Sequence, residues 1–149
     1  METYRGVVSQ WELDHMGHLN IRFYQAMFEA ACWQLYGALG LTPGWMRDHG
    51  RGMAAVEQHI LYRAELGAGA LVVVDTEVTE VGDKILRFVH HLRDLEADVE
   101  AAVSEFVAVH LDTERRRAVP LPGFVGERVD ELGLRPTGTA GRRPGSPAG

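Results

Sequence analysis

Residues 11–39 read WELDHMGHLNIRFYQAMFEAACWQLYGAL, and this stretch decides the fold. Fourteen of the nineteen residues from Ile21 to Leu39 are apolar or aromatic, so a helix made of them has no clear solvent-facing side. Such a helix is usually surrounded by protein. Asn20 is a suitable cap for its first turn, and Gly37 and Gly40 are suitable places for it to end. The stretch therefore predicts one long buried helix that follows a polar loop.

The composition limits the class of protein. The 149 residues suit a single domain, since domains commonly contain about 100–200 residues. A net charge of −6 argues against a general nucleic-acid surface, which usually needs clustered positive charge. No apolar run reaches the roughly 18 residues that span a bilayer, and the first residues, METYRGVV, lack a signal-peptide core. We therefore expect a cytoplasmic protein that binds neither nucleic acid nor membrane.

Five further stretches have the alternating pattern of strands. One precedes the helix and four follow it, and the last three are joined by short turns, as in an antiparallel meander. Six apolar residues between Val99 and Leu111 share odd-numbered positions in the last stretch. A sheet this small can bury the helix on both sides only by curling around it. The five stretches are Tyr4–Trp11, Met53–Arg63, Leu71–Glu80, Lys84–Asp94 and Val99–Thr113.

Less regular structure is expected elsewhere in the chain. Residues 45–52 have mixed charge, follow a Thr-Pro-Gly turn and are predicted to form a loop, whereas residues 126–134 favour one short helical turn. Half of the fourteen residues from 136 to 149 are Pro or Gly, and none is strongly hydrophobic. We predict a single domain over residues 1–134, followed by a disordered tail over residues 135–149.

Asp14 is the first chemical candidate, because it lies six residues before the predicted helix cap. The chain can fold back there over the helix N-terminus, whose free N–H groups and dipole can hold a developing oxyanion. A carboxylate beside these groups can act as a nucleophile or as a general base toward water. This pairing suits acyl transfer. The alternative is that Asp14 only caps its own turn, which is a common role for Asp.

A metal site is another interpretation of the same loop, since Asp14, His15 and His18 carry ligand atoms at a spacing that a turn allows. Asp-His-x-x-His is a weak pattern without further ligands, so no metal is predicted. The chain contains no GxGxxG, GxxxxGK or GxSxG pattern, which disfavours nucleotide-binding and serine-hydrolase interpretations.

Residues 14–20, DHMGHLN, followed by Tyr24 and Glu29, resemble the acyl-CoA thioesterases of the hotdog fold, in the 4-hydroxybenzoyl-CoA thioesterase branch. The segment Phe28-Glu29-Ala30-Ala31 stands where that branch has a Phe-Glu-x-Ala-like stretch. The resemblance implies an α+β hotdog fold, with a curved antiparallel sheet of about five strands wrapped around one long central helix. It also implies that subunits join their sheets in pairs, with active sites between subunits.

The resemblance implies roles for individual residues. Asp14 is expected to be the catalytic carboxylate, and the backbone amide of Ile21 is expected to polarise the thioester carbonyl. Many relatives carry a second Asn where this chain has Ile21, so a role for that amide side chain is not expected here. Tyr24 would line the acyl pocket or pack against the sheet. The remaining expected site residues are Gly17, His18 and Asn20, which would shape the loop that carries the acid, and His59 and Tyr62, which would line the acyl pocket.

The resulting hypothesis is a homodimer, or a dimer of dimers, that hydrolyses an acyl-CoA or acyl-carrier thioester without a metal or cofactor. Asp14 would activate water or form a transient anhydride. The alternative is a non-catalytic acyl-CoA-binding or scaffold module on the same fold. A hydratase is disfavoured, because His18 alone is a poor fit to the helix-end motif of such enzymes. Trp11, Trp33 and Tyr36 either fill core volume or face a cationic acyl group, since aromatic faces attract quaternary ammonium.

Overall fold

The computed structural model describes residues 1–137, in which an antiparallel sheet packs against one long helix. Most of the predicted tail lies outside the described residues. The strands are β1 (Glu2–Val7), β2 (Arg51–Tyr62), β3 (Leu71–Val81), β4 (Ile85–Asp94), β5 (Val99–Asp112) and β6 (Arg117–Ala118). The helices are α1 (Ile21–Ala38), α2 (Pro43–His49) and α3 (Gly123–Glu131), and a short 3-10 turn spans Gln10–Glu12.

The five long strands form one sheet in the order β1-β3-β4-β5-β2. All neighbouring pairs are antiparallel, and the short β6 pairs with the end of β5. The predicted meander of β3, β4 and β5 and the predicted five-stranded antiparallel sheet around a long helix are therefore confirmed. The chain enters β2 from α2, and β2 closes one end of the sheet. This placement leaves the outer edge of β2 free of any strand within residues 1–137.

Helix α1 begins where the sequence predicts, because the Asn20 side chain accepts a hydrogen bond from the amide of Arg22 at 3.1 Å. Its buried side includes Phe28 and Leu35, which pack in the core between helix and sheet. The expectation of a helix without a solvent-facing side is wrong within one chain. The single sheet covers only one side of α1, so Trp33 stays 48% exposed. The other exposed positions are Ile21, Arg22, Gln25, Ala26, Glu29 and Gln34.

The register between strands determines which side chains lie on each face of the sheet. In β4 the predicted stripe faces the core, and Leu86 and Phe88 are fully buried. Phe88 is paired with Phe106 across the ladder, and their rings stack at 5.2 Å. The core side of β5 is thus its even-numbered side, whereas Val107 of the odd-numbered stripe pairs with Arg87 on the opposite face. The apolar odd positions of β5 therefore do not mark the side that faces α1.

The expected loop over residues 45–52 is wrong, because helix α2 occupies most of it. Thr42 caps this helix by accepting from the Trp45 amide at 3.1 Å, and Pro43 stands in its first turn. Gly50 ends it in a left-handed conformation with φ of 61°, which glycine adopts without strain. The first strand also differs from its prediction, since it ends at Val7. The predicted C-terminal turn is part of α3.

Candidate active site

The polar loop before α1 is a tight hairpin-like turn. Leu13 and Leu19 form an isolated antiparallel bridge, and inside it the Asp14 amide donates to the His18 carbonyl at 2.8 Å. The Gly17 amide donates to the Asp14 carbonyl at 3.1 Å. Gly17 has a φ of 77°, a conformation that side-chain-bearing residues rarely adopt. The glycine therefore allows the turn to close over four residues.

The Asp14 carboxylate is held by this turn and is only half-exposed. Its Oδ1 accepts from the amides of Met16 at 2.9 Å and His18 at 3.2 Å. Partial burial acts to raise the pKa of Asp14, but the hydrogen bonds from His18 and Met16 and the nearby imidazoles outweigh it, so the pKa is lowered. No hydrogen bond within residues 1–137 uses Oδ2. An ionised carboxylate with one free oxygen is thus fixed in place.

The N-terminus of α1 adjoins this carboxylate. Asn20 satisfies the Arg22 amide through its side chain, and its carbonyl accepts from Phe23 at 2.9 Å. Among the hydrogen bonds of the described residues, none is donated by the Ile21 amide. A first-turn amide without a partner carries partial positive charge from the helix dipole. It can therefore donate to an oxyanion that forms nearby.

Two backbone hydrogen bonds fix the loop to its surroundings. The Leu19 amide donates to the Leu66 carbonyl at 2.7 Å, which ties the loop to the segment between β2 and β3. The Asn20 amide donates to the Glu12 carbonyl at 2.8 Å, which ties it to the 3-10 turn. The acid and the helix start are consequently anchored through main-chain atoms on both sides.

An open cleft of about 390 Å³ lies between this loop, the start of α1 and the end of β2. It contains both expected catalytic elements, the carboxylate and the helix start. Pockets that bind small molecules usually combine an apolar wall with a few polar groups. The lining residues are Asp14, His18, Leu19, Ile21, Tyr24, Tyr62, Arg63, Ala64 and Glu65.

The cleft has an aromatic corner and two ion pairs. Tyr24 and Tyr62 meet edge to face with ring centroids 5.0 Å apart. His18 Nε2 lies 3.0 Å from Glu65 Oε2, and Arg63 Nη1 lies 2.7 Å from Glu100 Oε1. The guanidinium of Arg63 is thus partly neutralised by a carboxylate outside the cleft, whereas Asp14 and Glu65 leave acidic oxygens inside it. The arrangement can activate water, polarise a carbonyl and accommodate a positively charged group.

A match to a known family settles the family assignment. The model of the thioesterase-like superfamily matches residues 8–129, which is most of the chain. The chain belongs to this superfamily. The hotdog fold implied by residues 14–20 is thereby confirmed, together with its five-stranded sheet and central helix.

Individual relatives within the superfamily agree with this assignment. A betainyl-CoA thioesterase of Pseudomonas aeruginosa is 31% identical over 127 residues, which cover 85% of this chain and 79% of that protein. An L-carnitine dehydrogenase/betainyl-CoA thioesterase of Agrobacterium fabrum is 30% identical over 135 residues, which cover 90% of this chain. The chain spans 27% of the length of that second relative.

A solved structure agrees at the level of the fold. It is a hypothetical protein of Staphylococcus aureus in complex with CoA, with a TM-score of 0.85 and 18% sequence identity. The alignment covers 99% of this chain and 96% of that chain. At this identity the likeness concerns the fold alone.

The structure of this superfamily member brings most of the predicted site residues together. Asp14, the start of α1, His18, Tyr24 and Tyr62 line one cleft. Gly17 and Asn20 support it from behind, through the turn and the helix cap.

His59 does not lie in this cleft within one chain. It lines a separate cavity of about 220 Å³ beside Glu57 and Glu105. His59 and Tyr62 are three residues apart on β2, and side chains of a strand alternate between its faces. Only one of the two can therefore point toward α1, and that residue is Tyr62.

Trp11, Trp33 and Tyr36 were expected either to fill the core or to face a cationic acyl group, and the structure places them differently from one another. Tyr36 is buried in the core, as the core-filling interpretation predicts. Trp11 and Trp33 are 78% and 48% exposed, so they do not fill core volume in one chain. None of the three lines the cleft, where Tyr24 and Tyr62 supply the aromatic faces instead.

Sequence reasoning missed Arg63, Ala64 and Glu65 as cleft residues. They follow β2 directly, and the Leu66 carbonyl then binds the loop before α1. The available signal was the position of two charged residues, Arg63 and Glu65, shortly after the pocket candidate Tyr62. That signal becomes specific only when the return of the chain to the helix start is known.

The described part of the chain contains neither a cluster of metal ligands nor a membrane-spanning helix. Within residues 1–137, no group of three or more His, Cys, Asp or Glu side chains is arranged to hold a metal ion. His18 is instead paired with Glu65. No helix among these residues is both long and apolar enough to cross a membrane.

Proposed function

We propose that this protein hydrolyses an acyl-CoA or acyl-carrier thioester to a free acid and a thiol. The observation that carries the proposal is the cleft that joins the ionised Asp14 carboxylate to the amide of Ile21, which donates no hydrogen bond within residues 1–137. The thioester carbonyl would accept from this amide, which stabilises the oxyanion that develops on its oxygen. The free Oδ2 of Asp14 either takes a proton from water or attacks the carbonyl carbon itself.

The lowered pKa of Asp14 is compatible with this role, which requires the ionised carboxylate. Its carboxylate is ionised throughout the neutral range, so every molecule is ready to act as base or nucleophile. The two amides that stabilise the charge bind the same oxygen, and they leave the other oxygen for chemistry. A carboxylate that only capped its turn would need no cleft and no neighbouring helix start. The geometry therefore favours a catalytic role over a purely structural one.

We infer further that the acyl group is small and cationic, of the betainyl type. Two relatives are named as betainyl-CoA thioesterases. The cleft supports this inference, because the half-exposed ring of Tyr62, packed edge to face on the buried Tyr24, presents aromatic surface near the carboxylates of Asp14 and Glu65. Aromatic rings and acidic oxygens both attract the positive charge of a quaternary ammonium group. A neutral alkyl group of the same shape lacks this electrostatic attraction.

A thiol-release assay tests both statements. We expect release of CoA from a panel of acyl-CoAs, with kcat/KM for betainyl-CoA about 5- to 30-fold above that for neutral 3,3-dimethylbutanoyl-CoA, as about 1–2 kcal/mol of cation–π energy implies. The two acyl groups have the same shape and differ in charge. Tyr62→Leu should lower this ratio.

The outcomes of the assay separate the alternatives. Tight binding of acyl-CoA without thiol release would support the non-catalytic binding module instead. Release of CoA at equal rates from both thioesters would support thioester hydrolysis but contradict selection for a positively charged acyl group.

We propose that two copies of the chain join through the free edge of β2. The strand is at the end of the sheet, and it exposes Val56, Leu61 and Tyr62 to 62%, 45% and 46%. An edge strand with unpaired backbone groups and exposed apolar side chains is a template for pairing with another chain. Since Tyr62 also lines the cleft, such a dimer would place the partner subunit close to the acyl pocket.

Sedimentation equilibrium tests the assembly. We expect the wild-type chain to be a dimer or a dimer of dimers, and we expect Val56→Lys to shift it toward the monomer, because a lysine places charge on the apolar edge. Leu132→Lys is the matched control, since Leu132 is an exposed apolar residue after α3. A monomeric wild type, or a Val56→Lys variant that remains fully associated, would contradict this edge as the interface.

A further inference from the structure

The pair formed by His18 and Glu65 has no role in the hydrolytic step described so far. His18 Nε2 and Glu65 Oε2 are 3.0 Å apart, and both residues line the cleft that holds Asp14. The Glu65 carboxylate lies beside this nitrogen, and the pairing of the two side chains favours one orientation of the imidazole ring. The other nitrogen, Nδ1, has no hydrogen-bond partner within residues 1–137. The pair thus provides an oriented imidazole with one nitrogen available.

His18 is also fixed at the backbone relative to the acid. Its amide donates to Asp14 Oδ1 at 3.2 Å, and its carbonyl accepts from the Asp14 amide at 2.8 Å. The ring and the carboxylate therefore belong to one rigid turn. Glu65 reaches this turn from the opposite wall, next to the Leu66 carbonyl that binds the Leu19 amide. Both sides of the cleft consequently contribute to the position of one imidazole.

The hydrolysis of a thioester has two proton transfers, and Asp14 accounts for the first. When water adds to the carbonyl carbon, Asp14 as general base takes a proton and the negative charge moves to the carbonyl oxygen. When this intermediate collapses, the C–S bond breaks and its electron pair leaves with sulfur. The alkyl thiolate of CoA is much more basic than an aryl thiolate, so its departure gains more from a proton that is donated as the bond breaks, and a positioned imidazolium is a suitable donor.

We propose that His18 is the proton donor to the departing thiolate and that Glu65 is the residue that positions it. This proposal rests on the proposed thioester hydrolysis. In the step, the imidazolium gives its Nδ1 proton to sulfur, and its Nε2 proton stays on nitrogen beside the Glu65 carboxylate. The proton held by Asp14 passes through solvent to restore the ring. The products are the carboxylic acid and the free thiol, and no other reactant is required.

The test varies the leaving group. The acyl group that gives the highest thiol release is presented both as its CoA thioester and as its S-(4-nitrophenyl) thioester, whose much more acidic thiol leaves without a proton. For His18→Asn we expect kcat with the CoA thioester to fall about 100-fold or more, and kcat with the aryl thioester to stay near that of wild type. Glu65→Gln should show the same selective loss, but a smaller one.

The controls separate this proposal from the function on which it rests. Asp14→Asn should lose both substrates, since it acts before the C–S bond breaks. His49→Asn and Glu96→Gln replace exposed residues outside the cleft and should retain both. We expect His18→Asn to fold, because the substitution leaves the backbone hydrogen bonds of residue 18 in place. Circular dichroism and thermal melting check this expectation.

An equal loss of both substrates in His18→Asn would show a structural or binding role and overturn the proton donor, as would full activity on the CoA thioester. If the wild-type chain and Asp14→Asn hydrolyse neither thioester above background, the proposed function itself fails.

Discussion

Asp14→Asn is expected to reduce thioester hydrolysis by about 1,000-fold or more while leaving the fold intact, because the change removes the charge and retains the shape. The amide oxygen of Asn can still accept from the backbone amides of Met16 and His18, so the turn keeps its two hydrogen bonds. Asparagine also suits this kind of turn. The measurement is kcat for CoA release, alongside the melting temperature of both proteins.

The matched control for this substitution is Asp48→Asn, which makes the same chemical change on the exposed side of α2. It should keep wild-type turnover. A fully active Asp14→Asn variant would show that the carboxylate is not needed, and would leave the helix-start amide without its proposed chemical partner. A variant that is inactive and unfolded would be replaced by Asp14→Ser, which keeps a hydrogen-bond acceptor in the turn.

The stability of the protein is expected to fall as the pH decreases from neutral to 5, through the buried His90. Its ring is fully buried between α1 and the sheet, where Nε2 lies 3.3 Å from Cys32 Sγ and Nδ1 lies 2.6 Å from Thr76 Oγ1. Burial, with a smaller effect of neighbouring His91, lowers the pKa of His90 from 6.5 to about 3. The folded protein therefore keeps this ring neutral under mildly acidic conditions.

The direction of this pH effect on the free energy of unfolding follows from proton uptake. Between the two pKa values, the unfolded chain binds a proton at His90 and the folded chain does not, so a lower pH favours unfolding. From pH 6.5 to pH 5 the contribution amounts to about 2 kcal/mol, at about 1.4 kcal/mol per pH unit. Urea unfolding at pH 7 and pH 5 measures the loss in free energy of unfolding.

A variant isolates the histidine responsible. His90→Asn is less stable overall, since it loses ring contacts with Phe28, but its stability should depend less on pH over this range. His49→Asn, which removes an exposed histidine, should keep the wild-type dependence. An equal loss between pH 7 and pH 5 in wild type and in His90→Asn would exclude His90 as the cause.

The parts of the fold that could be predicted from the sequence are those with one dominant local pattern. Helix α1 has an apolar composition and a polar cap, and β4 alternates cleanly, so both were located close to their observed bounds. The face of β5 could not be predicted, because this central strand has apolar residues at odd and even positions, and register with β4 decides which set faces α1. Helix α2 was missed although Thr42, Pro43 and Gly50 are suitable signals for its two ends.

The candidate site likewise contains residues that could be placed from the sequence and residues that could not. Asp14 and the start of α1 are close in sequence, so local reasoning and the family resemblance were sufficient to place them together. Glu65 could not be placed, because its proximity to His18 depends on the return of the chain after β2 to the helix start. The resemblance implied pocket roles for both His59 and Tyr62, but the two residues line different cavities within one chain. Strand alternation separates these two residues.

The hydrogen bond between the Leu19 amide and the Leu66 carbonyl has an evolutionary consequence, because it uses only main-chain atoms. Exchange of side chains at positions 62–64 leaves this tie unchanged. The wall of the cleft at these positions can thus diversify while the Asp14 carboxylate keeps its place. The shape and charge of the cleft can therefore change by single substitutions, without a compensating change in the loop that holds Asp14.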